Sequence, residues 1–366
     1  MPGDALTPHD AIIIGAGLSG LRTGHLLAAA GHKCLILEAD SRLGGRMLSV
    51  GASAPDARSR FDMGPAWLWP AFQPRILRLL AELGLPIYEQ QATGDTLLER
   101  SAHRPSQRVA TITQQPASYR IAGGMAAMIE KLTAHLPQGD IQPGLRVTRV
   151  EMGPNVMTVH ARTTNGRETT FQGRHLIAAL PPRLAAETIV FAPALPPQLD
   201  HAMRQVPTWM AGQAKYLAVY PRPFWRDAGL SGAARSAAGP LVEIHDASIP
   251  DGEAALFGFV GLSADQRQVA GPAWERAALA QLVRLFGAAA GDPAAVHVKD
   301  WAQSPLTATR LDWPPLTSHP HYAALPDAGP VWRDRLIWAG TETAPEHGGY
   351  LEGALEAAER AAAAIG

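Results

Sequence analysis

Ala11-Ile12-Ile13-Ile14 is an unbroken apolar run that stops at a glycine. A short run of this kind, closed by a turn residue, predicts a strand buried on both faces. Helical spacing follows through Ala30 and ends at Gly31, and Lys33–Leu37 reads as a second strand. Further along, Leu145–Glu151, Val156–Arg162, Glu168–Gln172 and His175–Leu180 read as strands, broken by turn residues such as Asn165-Gly166. Ala214–Tyr220, Ala254–Leu262 and Leu336–Ala339 are apolar enough for strands as well. Gln73–Leu83 reads as a helix, Trp274–Phe286 as another after Gly271-Pro272, and Ala354–Ile365 as an amphipathic helix. Strands and helices mixed in this way place the chain in the α/β class. No internal repeat or low-complexity tract is present.

Composition narrows the class without naming a function. The 366 residues are 46% hydrophobic and 18% charged, with net charge −1, so they suit a globular fold of two domains. No block of like charge offers a surface to nucleic acid or an acidic membrane. No apolar run reaches the roughly 18 residues of a membrane span. Met1–Asp10 lacks a basic-then-apolar signal pattern, which leads us to expect a cytoplasmic protein. Cys34 is the single cysteine, so neither an intrachain disulfide nor a cysteine metal cluster is expected. No metal-binding spacing such as a paired-histidine helix motif occurs, and no metal site is expected. Lysine occurs at Lys33, Lys131, Lys215 and Lys299 only, which reflects an arginine-rich composition rather than chemistry.

The first specific signal is Gly15-Ala16-Gly17-Leu18-Ser19-Gly20, set between the first strand and its helix. Gly15 makes the tight turn, Gly17 admits a pyrophosphate to the backbone, and Gly20 lets helix and strand pack closely. Ser19 and the helix N-terminus supply donors to the phosphates. Glu38, at the end of the second strand, can accept from ribose hydroxyls. Strand, glycine turn, helix, strand and acid together point to dinucleotide binding. Arg42-Leu43-Gly44-Gly45-Arg46 then follows, a second phosphate-facing turn that an NAD dehydrogenase has no use for. This pattern resembles flavoproteins that bind FAD in an extended form. Near the far end, Gly340-Thr341-Glu342-Thr343-Ala344 and Gly348-Gly349-Tyr350-Leu351-Glu352-Gly353-Ala354 lead into a helix. Its positive end would stabilise an anionic reduced flavin.

With Asp62-Met63-Gly64-Pro65, Gly173–Pro182 and Ala214–Trp225, these segments resemble the flavin-containing amine oxidase family, which includes monoamine and polyamine oxidases. The resemblance implies an α/β protein: a Rossmann-type FAD-binding domain interleaved with a substrate domain built on a mixed β-sheet with flanking helices. The FAD-binding domain would comprise 1–70, 141–190 and 335–366, and the substrate domain 71–140 and 191–334. Val147 and Gly64 are implied cofactor contacts, alongside Gly15, Gly17, Ser19, Gly20, Glu38, Arg46, Gly340, Glu342 and Leu351. The family commonly carries a helical lobe of about a hundred residues before the glycine pair matching Gly123-Gly124. This chain has fewer than 40 residues there, so the wall over the substrate is thin, absent or supplied by a second copy of the chain. Some members tether FAD through a cysteine near the C-terminal end. No cysteine lies there in this chain, so FAD is expected to be non-covalent.

Lys215 stands in an otherwise apolar strand, where a charge is costly without partners. Its position resembles the family lysine that holds a water beside the reactive flavin nitrogen; the alternative is an edge-strand lysine facing solvent. Tyr350 matches one of two aromatic rings that flank the amine in relatives; otherwise it is a core tyrosine at a helix start. The second ring would come from the region of Arg310 and Leu311, with Trp313 close by. Trp67 stands where amino-acid-oxidising relatives place an arginine, which argues against α-amino acids; simple packing is its alternative role. Trp301 is expected beside the flavin, and His347 away from acid–base work.

These readings predict oxidation of a small-molecule amine, with oxygen as acceptor and hydrogen peroxide as product. Two alternatives remain open at this point. One is a renalase-like or desaturase-like enzyme acting on a non-amine. The other is a flavin-binding protein that serves a partner without turnover.

Overall fold

The computed structural model describes residues 8–51, 60–110 and 116–366. Residues 1–7 of the stretch Met1–Asp10 lie outside these, as do residues 52–59 of the first expected domain segment. The apolar run at the start forms the strand His9–Ile14, paired in parallel with Cys34–Leu37 on one side and with Glu168–Ala178 on the other. Ala11, Ile13, Cys34 and Ile36 enter one core, while Ile12, Ile14, Leu35 and Leu37 enter another. That alternation is the period of two of a pleated strand, and both faces are buried.

This first sheet runs in the order Val190–Ala192, Leu145–Met152, Met157–Thr163, Glu168–Ala178, His9–Ile14, Cys34–Leu37 and Ile141–Gln142. Leu336–Trp338 joins it in parallel beside Leu176–Ala178, so the far end of the chain completes the sheet begun by the first strand. The sequence suggested two strands, Glu168–Gln172 and His175–Leu180, yet one strand of 11 residues spans most of both. Gly173 does not break it. A Cβ there would lie 2.8 Å from Ile12, so the glycine serves close packing rather than a turn.

A second sheet has the order Ala295–Asp300, Ala214–Tyr220, Ala254–Val260, Leu241–Asp246, Leu230–Ser236, Asp95–Glu99 and Gln107–Ala110. Leu230–Ser236 and Asp95–Glu99 pair in parallel and the other neighbours are antiparallel, so the sheet is mixed. Tyr216, Ala218 and Tyr220 pack toward the helix Ala273–Phe286. Leu217 and Val219 point the other way, onto Phe61 and Met63. Lys215 shares the parity of Leu217 and Val219, and so faces the first sheet's side of the molecule.

The packing departs from the expected segment boundaries. The helices Pro74–Glu82 and Ala126–Ala134 were read as part of the substrate domain. Their residues Ile76, Leu79, Leu80, Met128, Ile129 and Leu132 instead join the core of the first sheet. On the opposite face, Phe191, Leu199, Met203 and Trp332 join its second core. An amphipathic helix states how much surface it must bury, not against which sheet. Between Leu83 and Gly123, the described residues hold short strands and no helix.

Glu352 ties two of the covering helices together. Its carboxylate is fully buried and accepts from the amides of Arg75 (2.8 Å) and Ile76 (3.0 Å) at the start of Pro74–Glu82. The cap therefore comes from the helix Leu351–Ala363, where an anion meets the positive end of a helix dipole. Glu352→Ala leaves those amides without a charged acceptor. We expect a loss of about 2 kcal/mol in folding stability, measured by denaturant unfolding.

Candidate active site

A cleft of about 650 Å³ runs between the two sheets. Its first wall is the turn after His9–Ile14. Gly15 has φ of 100°, a conformation that favours glycine. A Cβ at Gly20 would lie 1.9 Å from the Gly15 carbonyl oxygen, so Gly20 sits behind the turn rather than in the cleft, as close packing requires. A Cβ at Gly17 would meet no atom within 4 Å, because Gly17 faces the open cleft. Ser19 also lines the cleft, and its hydroxyl donates to the Ala339 carbonyl.

The second glycine turn lies alongside. Gly44 donates its amide to the Ala16 carbonyl at 2.8 Å. Arg42 folds the turn by donating to the carbonyls of Leu43 (2.8 Å) and Gly45 (2.6 Å). Arg46 reaches the cleft and pairs with the fully buried Glu342 at 2.6 Å. Burial opposes the charge on Arg46, but Glu342 outweighs it and holds the guanidinium above its usual range. Glu342 does not line the cleft; it stands one step behind and fixes Arg46. Glu38 lines the cleft with Val147 and accepts from the amides of Ala16 (2.7 Å) and Asp40 (2.8 Å). Burial raises its pKa against the pull of those amides.

At the other wall, Gly64, Trp67, Lys215, Gly340, Tyr350 and Leu351 come together. Lys215 is 3% exposed and lies on a strand paired on both sides, so it is not an edge residue facing solvent. Its Nζ donates to the carbonyls of Asp62 (3.1 Å) and Gly64 (2.8 Å). The ring centroid of Phe257 lies 4.5 Å from it. Burial pushes its pKa down to about 7, with Asp62 pulling up and Arg120 pushing down. Tyr350 precedes the helix Leu351–Ala363, and its ring stacks on His319 at 4.5 Å. Trp301 lines the cleft and donates its indole N–H to the Met63 carbonyl at 3.0 Å.

Two expected residues are elsewhere. Leu311 is 56% exposed and lines a separate small pocket beside Arg183 and Trp209. Trp313 is buried against Ala264 and Ala302, with the Arg310 guanidinium 3.7 Å from its ring centroid. Neither supplies a second ring. In this segment the lining of the cleft stops at Thr307, and both side chains lie beyond it. Trp69, Trp209, Met210 and Phe259 line it instead. Trp209 carries no spacing signal in the sequence. Met210 has φ of 62°, a strained conformation that a sequence does not announce.

Residues 86–366 match the family described as flavin containing amine oxidoreductase. The chain belongs to this family. Residues 13–83 match an NAD(P)-binding Rossmann-like domain. A Dictyostelium discoideum protein named probable flavin-containing monoamine oxidase A is 29% identical; the match covers 66% of this chain and 52% of that protein. An L-amino acid dehydrogenase of Synechocystis is 25% identical, covering 97% of this chain and 94% of that protein. That alignment runs over 472 positions, so the relative carries roughly a hundred residues this chain lacks. Among solved structures, cyclohexylamine oxidase from Brevibacterium oxydans shares the fold at TM-score 0.78 and 22% identity, covering 98% of this chain and 99% of that chain. A redesigned putrescine oxidase shares it at TM-score 0.78 and 21% identity, covering 98% of each chain.

The cleft suits the flavin cofactor of this family. It offers two glycine turns, an arginine, an acid and the start of a helix, and Gly17 leaves a cradle that a side chain would fill. Gly17→Val tests the cradle, since its Cβ would meet no protein atom within 4 Å and φ of −74° carries no strain. We expect unfolding of the flavin-free variant close to wild type, with flavin affinity reduced by about tenfold or more in a titration.

Lys215 gives a pH prediction. An unfolded lysine has a pKa of about 10.4, whereas burial pushes that of Lys215 down to about 7. Between these values the unfolded chain holds the extra proton, so wild-type stability rises with pH. Lys215→Met removes that rise. Denaturant unfolding from about pH 7 to about pH 10 should show the variant losing ground to wild type, by on the order of 3 kcal/mol across the window.

Proposed function

We propose that the protein oxidises an amine to an imine, which hydrolyses to an aldehyde or ketone, with oxygen as acceptor and hydrogen peroxide as product. The first sheet with its helices serves as the FAD-binding domain and the second sheet as the substrate domain. The observation that carries the reading is Lys215, buried at the cleft wall on the Asp62 and Gly64 carbonyls, in the same cleft as Tyr350. When bound, FAD supplies two-electron oxidation and the return of those electrons to oxygen. Tyr350 presents a ring to the amine, whose lone pair must be free for the adjacent carbon–hydrogen bond to break. With a pKa of about 7, Lys215 exchanges a proton at neutral pH. Neutral, Nζ can hold the water that hydrolyses the imine. Protonated, it stabilises the negative charge that develops on oxygen.

The cofactor is held without a covalent bond. Cys34 is buried in the strand Cys34–Leu37, where burial pushes its thiol up to about 12. It does not line the cleft. The short segment between Leu83 and Gly123 favours a second reading, a flavin oxidoreductase acting on a non-amine.

Anaerobic mixing with a panel of amines separates the two. Under the first reading at least one amine bleaches the flavin, and air then yields peroxide; under the second no amine does. Lys215→Met should retain FAD and bleach with the same amine. Its reoxidation by oxygen should slow about a hundredfold, the effect of losing about 3 kcal/mol of charge stabilisation. Unchanged reoxidation together with lost amine binding would assign Lys215 to the substrate instead.

A further inference from the structure

The inference rests on the amine-oxidising reading and concerns which amines the cleft accepts. The carboxylates around Lys215 are already engaged. Asp62 accepts from the Ser49 hydroxyl (2.6 Å) and the Met125 amide (2.8 Å). Asp246 takes Arg226 and the Trp225 indole. Glu243 takes Arg235 and His245. Among the described residues the acids that line the cleft are Glu38 and Asp40, which follow the strand Cys34–Leu37 of the other sheet.

Arg120 has no such partner. It is 3% exposed, and its Nε donates to Gln90 Oε1 at 2.6 Å. Its Nη2 is buried without an acceptor. Among the described residues no carboxylate lies within 4.0 Å of its nitrogens. The guanidinium sits 5.4 Å from the Phe257 ring centroid, the ring that also carries Lys215, and 5.9 Å from that of Trp67. Its position is fixed through Gln90. The Gln90 amide donates to the carbonyls of Asp246 (2.7 Å) and Gln91 (3.0 Å), and its oxygen accepts from both Arg120 and Trp67. A positive charge in direct contact with no described carboxylate, attracted by Asp62 and Asp246 only from beyond 4.0 Å, therefore stands behind Trp67, which is itself a wall of the cleft.

We propose that Arg120 is a specificity-determining residue that excludes a second ammonium group from this end of the cleft. The substrate is then a monoamine with an apolar body, not a diamine or polyamine. The walls there suit such a body: Trp67 packs with Trp69 and Phe259. Two unit charges about 8–10 Å apart at an effective dielectric of about 20 repel enough to change affinity roughly tenfold or more.

The test uses FAD-loaded protein and anaerobic flavin reduction by butylamine, cyclohexylamine and putrescine. Wild type should reduce with one of the monoamines at least about tenfold more efficiently than with putrescine. Arg120→Gln should narrow that gap several-fold, and Arg120→Lys, which keeps the charge, should preserve it. A loss of packing alone would slow all three amines and leave the ratio in place. Equal reduction by putrescine in wild type overturns the proposal, as does an unchanged ratio in Arg120→Gln. If Arg120→Gln does not fold, Arg120→Met, which keeps the stem and removes the charge, takes its place in the comparison. If no amine of either kind reduces the flavin, the amine-oxidising reading fails first and this inference with it.

Discussion

The pair of Arg46 and Glu342 is the contact on which the site depends. Glu342 is fully buried, and a carboxylate in that position is tolerable only beside a cation. Arg46 belongs to the second glycine turn and Glu342 to the turn that follows the last strand of the first sheet. Their pairing joins the two halves of the cleft floor across nearly the whole chain. The hydroxyl of Ser19 on the Ala339 carbonyl acts in the same place. With these contacts made, Gly340, Tyr350 and Leu351 are brought beside Gly15, Gly17 and Gly64.

Much of this was legible in the sequence where a local rule had one outcome. Ala11–Ile14 and Lys33–Leu37 were read as buried strands and Gly15 as the tight turn after the first of them; the structure has His9–Ile14, Cys34–Leu37 and Gly15 at φ of 100°. Ala214–Tyr220 was read with its observed bounds. Lys215 was recognisable because a charge inside an apolar run demands partners, although those partners, the carbonyls of Asp62 at a strand end and of Gly64 just after it, were not. The sequence was silent where the outcome depended on three-dimensional return paths. Nothing in Pro74–Glu82 states which sheet it covers. Leu311 and Trp313 lie at the right distance along the chain for a second ring, but the backbone turns them elsewhere. Gln90 and Arg120 form one unit through side chains 30 residues apart.

The second sheet contributes polarity as well as shape. One face holds Lys215 among aromatic rings, and Arg120 approaches the same ring from another strand. Burial makes each charge expensive and its field long-ranged, because little water is present to screen it. The same burial that lowers the pKa of Lys215 thus strengthens what Arg120 imposes on its surroundings.

The seam between the first strands and the last has a consequence for the order in which the protein is made. A ribosome releases the Gly15 turn and Arg46 about 300 residues before Glu342, Tyr350 and the helix Leu351–Ala363. Until then Arg46 lacks the carboxylate of Glu342, and the helix Pro74–Glu82 lacks that of Glu352 at its start. The dinucleotide cradle therefore stays incomplete until residues 340–354 have been made, and cofactor capture must wait for them.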